Sequence, residues 1–235
     1  MKFRDYEKTL VMFVLAGSLL AFLLGANVVQ AGTPADHTVM VYHKNGGCTG
    51  VIVGNKVVLT VSHCHSQKEI YVSRRRYGDW QEDAKNNRYP DEKAEVAYRD
   101  EKADLLLLIT NVPDQGMINL TDAILDEEMV ITAYLKGRYG IYRGRITHIA
   151  ENGILHTDAR LMRGSSGAGM FNARGEMLGT VASFIADSEM TSQTVGNSTI
   201  KIPMILSVEY VAIPSRVVAN FLVEAKTRLN LPKDP

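Results

Sequence analysis

The chain has 235 residues, 46% hydrophobic and 22% charged, a balance that excludes wholesale disorder and collagen-like sequence. Lys and Arg number 26 against 26 Asp and Glu, so no net field draws the chain to nucleic acid or anionic lipid. The only cysteines, Cys48 and Cys64, exclude a disulfide-framework miniprotein and a four-cysteine zinc site but allow one bridge.

The first segment is charged, with Lys2, Arg4 and Lys8 outweighing Asp5 and Glu7, and no charge occurs from Thr9 to Pro34. Val29-Gln30-Ala31 supplies small residues at the positions a signal peptidase reads, which predicts cleavage before Gly32. The apolar run before it approaches the roughly 20 residues that span a bilayer. Residues 1–31 therefore read either as a signal peptide or as an uncleaved signal anchor, a membrane tether through residues 10–29. Both readings deliver residues 32–235 to an extracytoplasmic place, periplasmic or secreted. Oxidising surroundings there would let Cys48 and Cys64 pair, closing a short loop for about 3 kcal/mol by chain entropy.

β patterns dominate the remainder of the chain. Val39–Tyr42 reads as a strand, and Gly50–Val53 with Lys56–Val61 as a hairpin around Gly54-Asn55. Ile70–Val72 is a further strand. Arg74-Arg75-Arg76 opens a polar stretch running to Lys93, predicted to be a long exposed hairpin or loop whose arginines are offset by Asp79, Glu82 and Asp83. Leu105–Ile109 is continuously apolar and reads as a buried strand. A loop-like stretch over 111–126 separates two halves. The second half carries strands at Val130–Tyr134, Gly144–Ile149, Gly153–Thr157, Met177–Ala182 and Ile200–Ala212, while the Ser- and Thr-rich stretch Asp187–Thr199 reads as a mobile loop. Many short strands with turns between them argue for barrels or a sandwich. Helix is expected only at the end, where Ser215 is placed to cap and Val217, Val218, Phe221, Leu222, Ala225 and Leu229 fall on one face.

Three places carry chemistry. His63 directly succeeds a buried strand, Asp104 sits at the lip of another, and Ser166 lies in Gly164-Ser165-Ser166-Gly167. A serine hydroxyl is a poor nucleophile until a base takes its proton, and an imidazole base needs a carboxylate to hold one tautomer. Glycines beside the serine let backbone amides turn toward a developing oxyanion. Chain order then discriminates. The last histidine is His156, so none comes after Ser166 and an α/β-hydrolase is excluded; the order His, Asp, Ser is that of chymotrypsin-like double barrels. His63 and His65 also form a His-x-His pair, but no third ligand is placed for zinc.

Gly47–Val53 with Leu59–Cys64 resembles the histidine segment of trypsin-like serine proteases, and Ala103–Leu108 resembles their aspartate segment. Thr157–Ala159, Gly164–Asn172, Gly175–Gly179 and Val211–Ser215 are closest to the HtrA (Deg) branch, and the likeness covers most of residues 38–228. The resemblance implies an all-β, chymotrypsin-like double antiparallel β-barrel, the first barrel over about 38–112 and the second over about 126–213. It places a C-terminal α-helix over about 215–229; no PDZ domain is expected after it, because the sequence ends at Pro235. It implies a Cys48–Cys64 bridge beside the histidine, and an exported serine endopeptidase acting on protein or peptide substrates, with no metal, no cofactor and no nucleic-acid partner. Ser166 would be the nucleophile, His63 the base and Asp104 the orienting acid, with Asp100 as fallback. The amides of Gly164 and Ser166, with Ser165 between them, would stabilise the oxyanion.

Ser165 stands where trypsin-like zymogens carry an aspartate and HtrA relatives usually an asparagine, so activation by a freed N-terminus is not expected. Ala168 replaces a usual glycine. Arg160 falls near the floor of the family's primary specificity pocket, though an unpaired buried guanidinium is costly and favours an outward side chain. Leu161 and Ser183 then form pocket walls, implying a small or medium apolar residue before the scissile bond. The alternatives are a catalytically silent trypsin-fold binding module tethered to a membrane, and an adhesion β-protein in which the three side chains never converge.

Overall fold

A computed structural model describes residues 33–44, 46–65, 69–74, 92–112, 115–195 and 198–229, with backbone alone over 184–208. The predicted signal or anchor segment and most of the polar stretch after Arg74 lie outside the described residues. The described residues begin with a short helix α1 (Pro34–His37), then β1 (Thr38–His43), β2 (Gly46–Gly54), β3 (Val57–Val61), β4 (Ile70–Ser73), β5 (Glu92–Asp100) and β6 (Leu105–Ile109). These strands close into an antiparallel barrel in the order β1-β2-β3-β6-β5-β4. The second barrel takes β7 (Glu128–Leu135), β8 (Arg138–Ile149), β9 (Leu155–Thr157), β10 (Gly169–Phe171), β11 (Met177–Val195) and β12 (Ser198–Pro214), ordered β10-β11-β12-β9-β8-β7. Helix α2 (Ser215–Arg228) ends the fold. The architecture is the chymotrypsin-like double barrel.

Packing explains the patterns. Side chains alternate across a strand, so a strand buried on both faces is apolar throughout. Leu106 and Leu108 of β6 fill the first barrel with Val41, Ile52 and Val58. Leu105 and Leu107 point the other way, into a shared layer where Val51, Leu59 and Val61 meet Phe171, Met177 and Ile213 of the second barrel. Val218, Phe221 and Ala225 of α2 pack into that same layer. The second barrel's own core holds Met129, Ile131, Ile146, Leu155, Leu161 and Met170.

Several elements differ from the sequence reading. Ser215 is the first residue of α2 rather than its cap; Pro214 occupies the N-cap, and the Ser215 hydroxyl lies 3.5 Å from Asp122 Oδ1. β5 and β10 were not anticipated. Most of Asp187–Thr199, expected as a loop, belongs to β11 and β12, which run paired from Gly179↔Pro214 out to Val195↔Ser198. A Ser- and Thr-rich ribbon shows no core-facing alternation, and β-branched threonine suits a strand as well as a turn.

Candidate active site

The first barrel contributes two side chains held by one turn. Asp100 Oδ1 accepts the amides of Lys102 (2.9 Å) and Ala103 (3.0 Å), closing the β5–β6 connection. The fallback acid is thus used locally. That turn ends at Asp104 with φ 56°, a left-handed conformation that aspartate tolerates better than most residues. Asp104 then makes three hydrogen bonds with the segment after β3. Its carbonyl accepts the Ser62 amide (3.1 Å), Oδ1 accepts the His63 amide (2.9 Å), and Oδ2 lies 2.7 Å from His63 Nδ1. This fixes Nδ1 as the protonated nitrogen and leaves Nε2 as the acceptor. The Cys48–Cys64 disulfide, with Cα atoms 6.3 Å apart, ties the residue next to His63 back to β2.

The second barrel contributes the loop before β10. Gly164 has φ 102° and Gly167 φ 82°. A Cβ at Gly164 would run into the Tyr134 carbonyl, and one at Gly167 into the Thr49 carbonyl and Thr60 hydroxyl, so both positions demand glycine. The Ser165 amide donates to Met162 O at 3.1 Å, whereas no backbone carbonyl of the described residues takes the amides of Gly164 or Ser166. Two amides, not three, are therefore unclaimed around the serine. Thr49, fully buried on β2, braces this loop from the other barrel: its amide donates to Ser166 O (2.8 Å) and its hydroxyl to Gly164 O (2.7 Å), while Oγ1 accepts the Tyr134 amide (2.9 Å). Sequence reasoning gave Thr49 no role, because nothing local marks it; only closure of one barrel on the other brings it there.

A cleft of about 510 Å³ joins the two contributions and is lined by His63, Gly164, Ser165 and Ser166. No direct hydrogen bond joins His63 and Ser166 in this structure. Leu161, Ser183, Val181 and Tyr210 form further walls, and the Tyr210 hydroxyl donates to the Leu161 carbonyl. Arg160, close in sequence to the pocket wall, lies exposed and outside the lining, the outward position that the cost of an unpaired buried guanidinium favours. Tyr210 and Val181 were missed from sequence, since distant segments meet there. Lys136 and Arg163 add cations at the rim, and no carboxylate lines the cleft among the described residues. Lys136 reaches it through the two-residue Lys136-Gly137 turn between β7 and β8, with both φ values positive (51° and 80°), the geometry that matches strand twist.

A family model described as trypsin-like peptidase domain matches residues 48–179. No curated protein matches the chain. Among solved structures, the serine endoprotease from Yersinia pestis superimposes with TM-score 0.61 at 18% identity, covering 84% of this chain and 64% of that one. This chain therefore spans less than two thirds of that relative. An inactive form of the Rv3671c protease from M. tuberculosis H37Rv gives TM-score 0.59 at 16% identity, covering 86% and 94%. The MamO protease domain from Magnetospirillum magneticum gives 0.57 at 19% identity, covering 80% and 96%. At such identities the likeness is one of fold.

Proposed function

The chain belongs to the trypsin-like peptidase domain family, and on that premise we propose that it is a serine endopeptidase with Ser166 as nucleophile. The observation that carries this reading is the two-point grip of Asp104 on His63, through amide and ring, at the edge of the cleft that Ser166 also lines. Ser166 Oγ attacks the scissile carbonyl as His63 Nε2 takes its proton, and Asp104 stabilises the imidazolium that forms. The tetrahedral oxyanion draws on the amides of Gly164 and Ser166; one such donor typically contributes about 3 kcal/mol to transition-state stabilisation. His63 then returns the proton to the leaving amine, and water attacks the acyl-serine by the same route in reverse. No cofactor or metal enters this sequence of steps.

Leu161 and Ser183, joined by Val181 and Tyr210, favour a small or medium apolar residue before the scissile bond. The disulfide supports an oxidising, extracytoplasmic location, reached through residues 1–31 as signal peptide or anchor and succeeded by one protease domain over 32–235. One experiment tests the whole reading: a fluorophosphonate probe and a peptide library applied to purified protein, with N-terminal sequencing of the exported form. The wild type is expected to be labelled and to cleave after small or medium apolar residues, with Ser166→Ala inert in both assays. Labelling of Ser166→Ala removes Ser166 as nucleophile; strict preference for Glu or Lys overturns the pocket assignment; an N-terminus still at Met1 makes residues 1–31 an anchor.

A further inference from the structure

The loop that carries Ser166 leads into β10, and β10 has a different neighbour on each side. Gly169 pairs with Thr180 of β11 on one side and with Thr132 of β7 on the other. Both neighbours run on past Gly169 to the cleft, β11 through Val181 and Ala182, β7 through its last residue Leu135 to Lys136. The serine loop is therefore flanked by two walls. The β11 wall, shared with Leu161 and Tyr210, is largely apolar. The β7 wall is cationic. The Lys136 amide donates to the Arg163 carbonyl at 3.2 Å, which sets the two residues side by side, and both are exposed where they line the cleft.

Neither cation takes part in an ion pair among the described residues, although Arg99, Arg145, Arg174 and Arg228 all do. The turn itself gives no reason for a lysine. Lys136 has φ 51°, and a two-residue hairpin turn of this kind prefers asparagine, aspartate or glycine there. Two like charges held side by side repel, and a carboxylate received between them turns that repulsion into attraction. Direction follows from the walls. With the residue before the cut seated on the apolar side, a chain crossing Ser166 runs on past the β7 side. An extended chain rises roughly 3.4 Å per residue, so its first three residues after the cut stay within about 10 Å of the serine. We propose that Lys136 and Arg163 together receive a carboxylate that the substrate carries just after the scissile bond. The substrate class is then a polypeptide that is apolar before the cut and acidic immediately after it. This inference rests on the reading of Ser166 as nucleophile.

Internally quenched peptides with one shared sequence before the cut test it. They carry Gln, Glu or Lys at each of the first three positions after the cut, and an amidated C-terminus. At the responsive position Glu is expected to exceed Gln in kcat/KM by about three- to tenfold, the gain that one or two exposed ion pairs supply, and Lys to fall below Gln. Raising NaCl from about 0.05 M to about 0.5 M should bring the Glu-to-Gln ratio toward one, because exposed charges are screened. In the Lys136→Gln/Arg163→Gln double variant that ratio should also fall to near one, whatever the absolute rate. Lys136→Glu/Arg163→Glu should prefer the Lys peptide, and Arg163→Glu alone, which leaves the turn untouched, should show part of the same reversal. A Gln peptide ending at the same position in a free carboxylate separates the two sources of the charge. A gain in the amidated Glu peptide assigns an acidic side chain; a gain confined to the free carboxylate assigns a chain end. A ratio near one at all three positions with no gain from the free carboxylate, or a preference that survives high salt or the double Gln variant, overturns the inference. Cleavage of the Gln peptide and probe labelling of Ser166 would in that case leave the nucleophile reading standing. Failure of both overturns that reading and takes this inference with it.

Discussion

His65 stands two positions from His63 and has the opposite surroundings. It is only 3% exposed, and neither ring nitrogen has a hydrogen-bond partner among the described residues. Burial, reinforced by nearby His43, Arg99 and His63, lowers its pKa from 6.5 to about 4. In the unfolded chain His65 binds a proton near pH 6.5, in the folded chain only near pH 4. Between those values the unfolded state holds more protons, so stability is intact above the window and falls as the pH drops through it. The loss is on the order of a few kcal/mol, at about 1.4 kcal/mol per pH unit. Urea denaturation at pH 7.5 and pH 4.5 should show this fall in the wild type and a much flatter response in His65→Phe; equal slopes would remove His65 as the source. From sequence the two histidines look like a pair. Asp104 draws one ring toward the cleft, while the other lies edge-on to the His43 ring, with the Arg99 guanidinium donating to the His65 carbonyl at 3.0 Å.

Elements were legible where burial imposes a period. β3 and β6 sit between two cores, and their apolar runs, interrupted only by Thr60, declare it. β5 gives no such signal, since Glu92–Asp100 sits between β4 and β6 in the first barrel with a mostly polar sequence. β10 is three residues long and merges with the glycine-rich loop before it. The Cys48–Cys64 bridge joins β2 to the turn bearing His63, closing a separation of 16 residues. Chain entropy for a loop of that size predicts a stabilisation of about 3 kcal/mol. The Cys48→Ser/Cys64→Ser double variant should therefore lose about that much in urea denaturation, and a loss under about half a kcal/mol would show that the link leaves the unfolded ensemble unaffected.

The two barrels meet across Thr49 as well as across the apolar layer. Its hydroxyl both donates to Gly164 O and accepts from the Tyr134 amide, so Thr49→Val, matched in shape, strands two backbone groups. We expect about 2 to 3 kcal/mol of destabilisation. We also expect kcat to fall about tenfold at nearly constant KM, because the unclaimed amides on either side of Ser165 lose their brace. Thr49→Ser should restore most of the kcat, and a kcat unchanged in Thr49→Val would free the loop from this control. The proposed triad of His63, Asp104 and Ser166 was nominated from the linear chain because each residue carries a local mark: a strand end, a strand lip, a pair of glycines. Their order alone selected the double barrel over other hydrolase folds. What the linear chain could not supply is anything made by contact between its two halves. Thr49 under the serine loop arises from that contact, and Tyr210 and Val181 reach the cleft wall through the long-range pairing of β11 with β12. Side chains far apart in sequence leave no shared local period, and only the burial of the layer between the barrels forces them into one place.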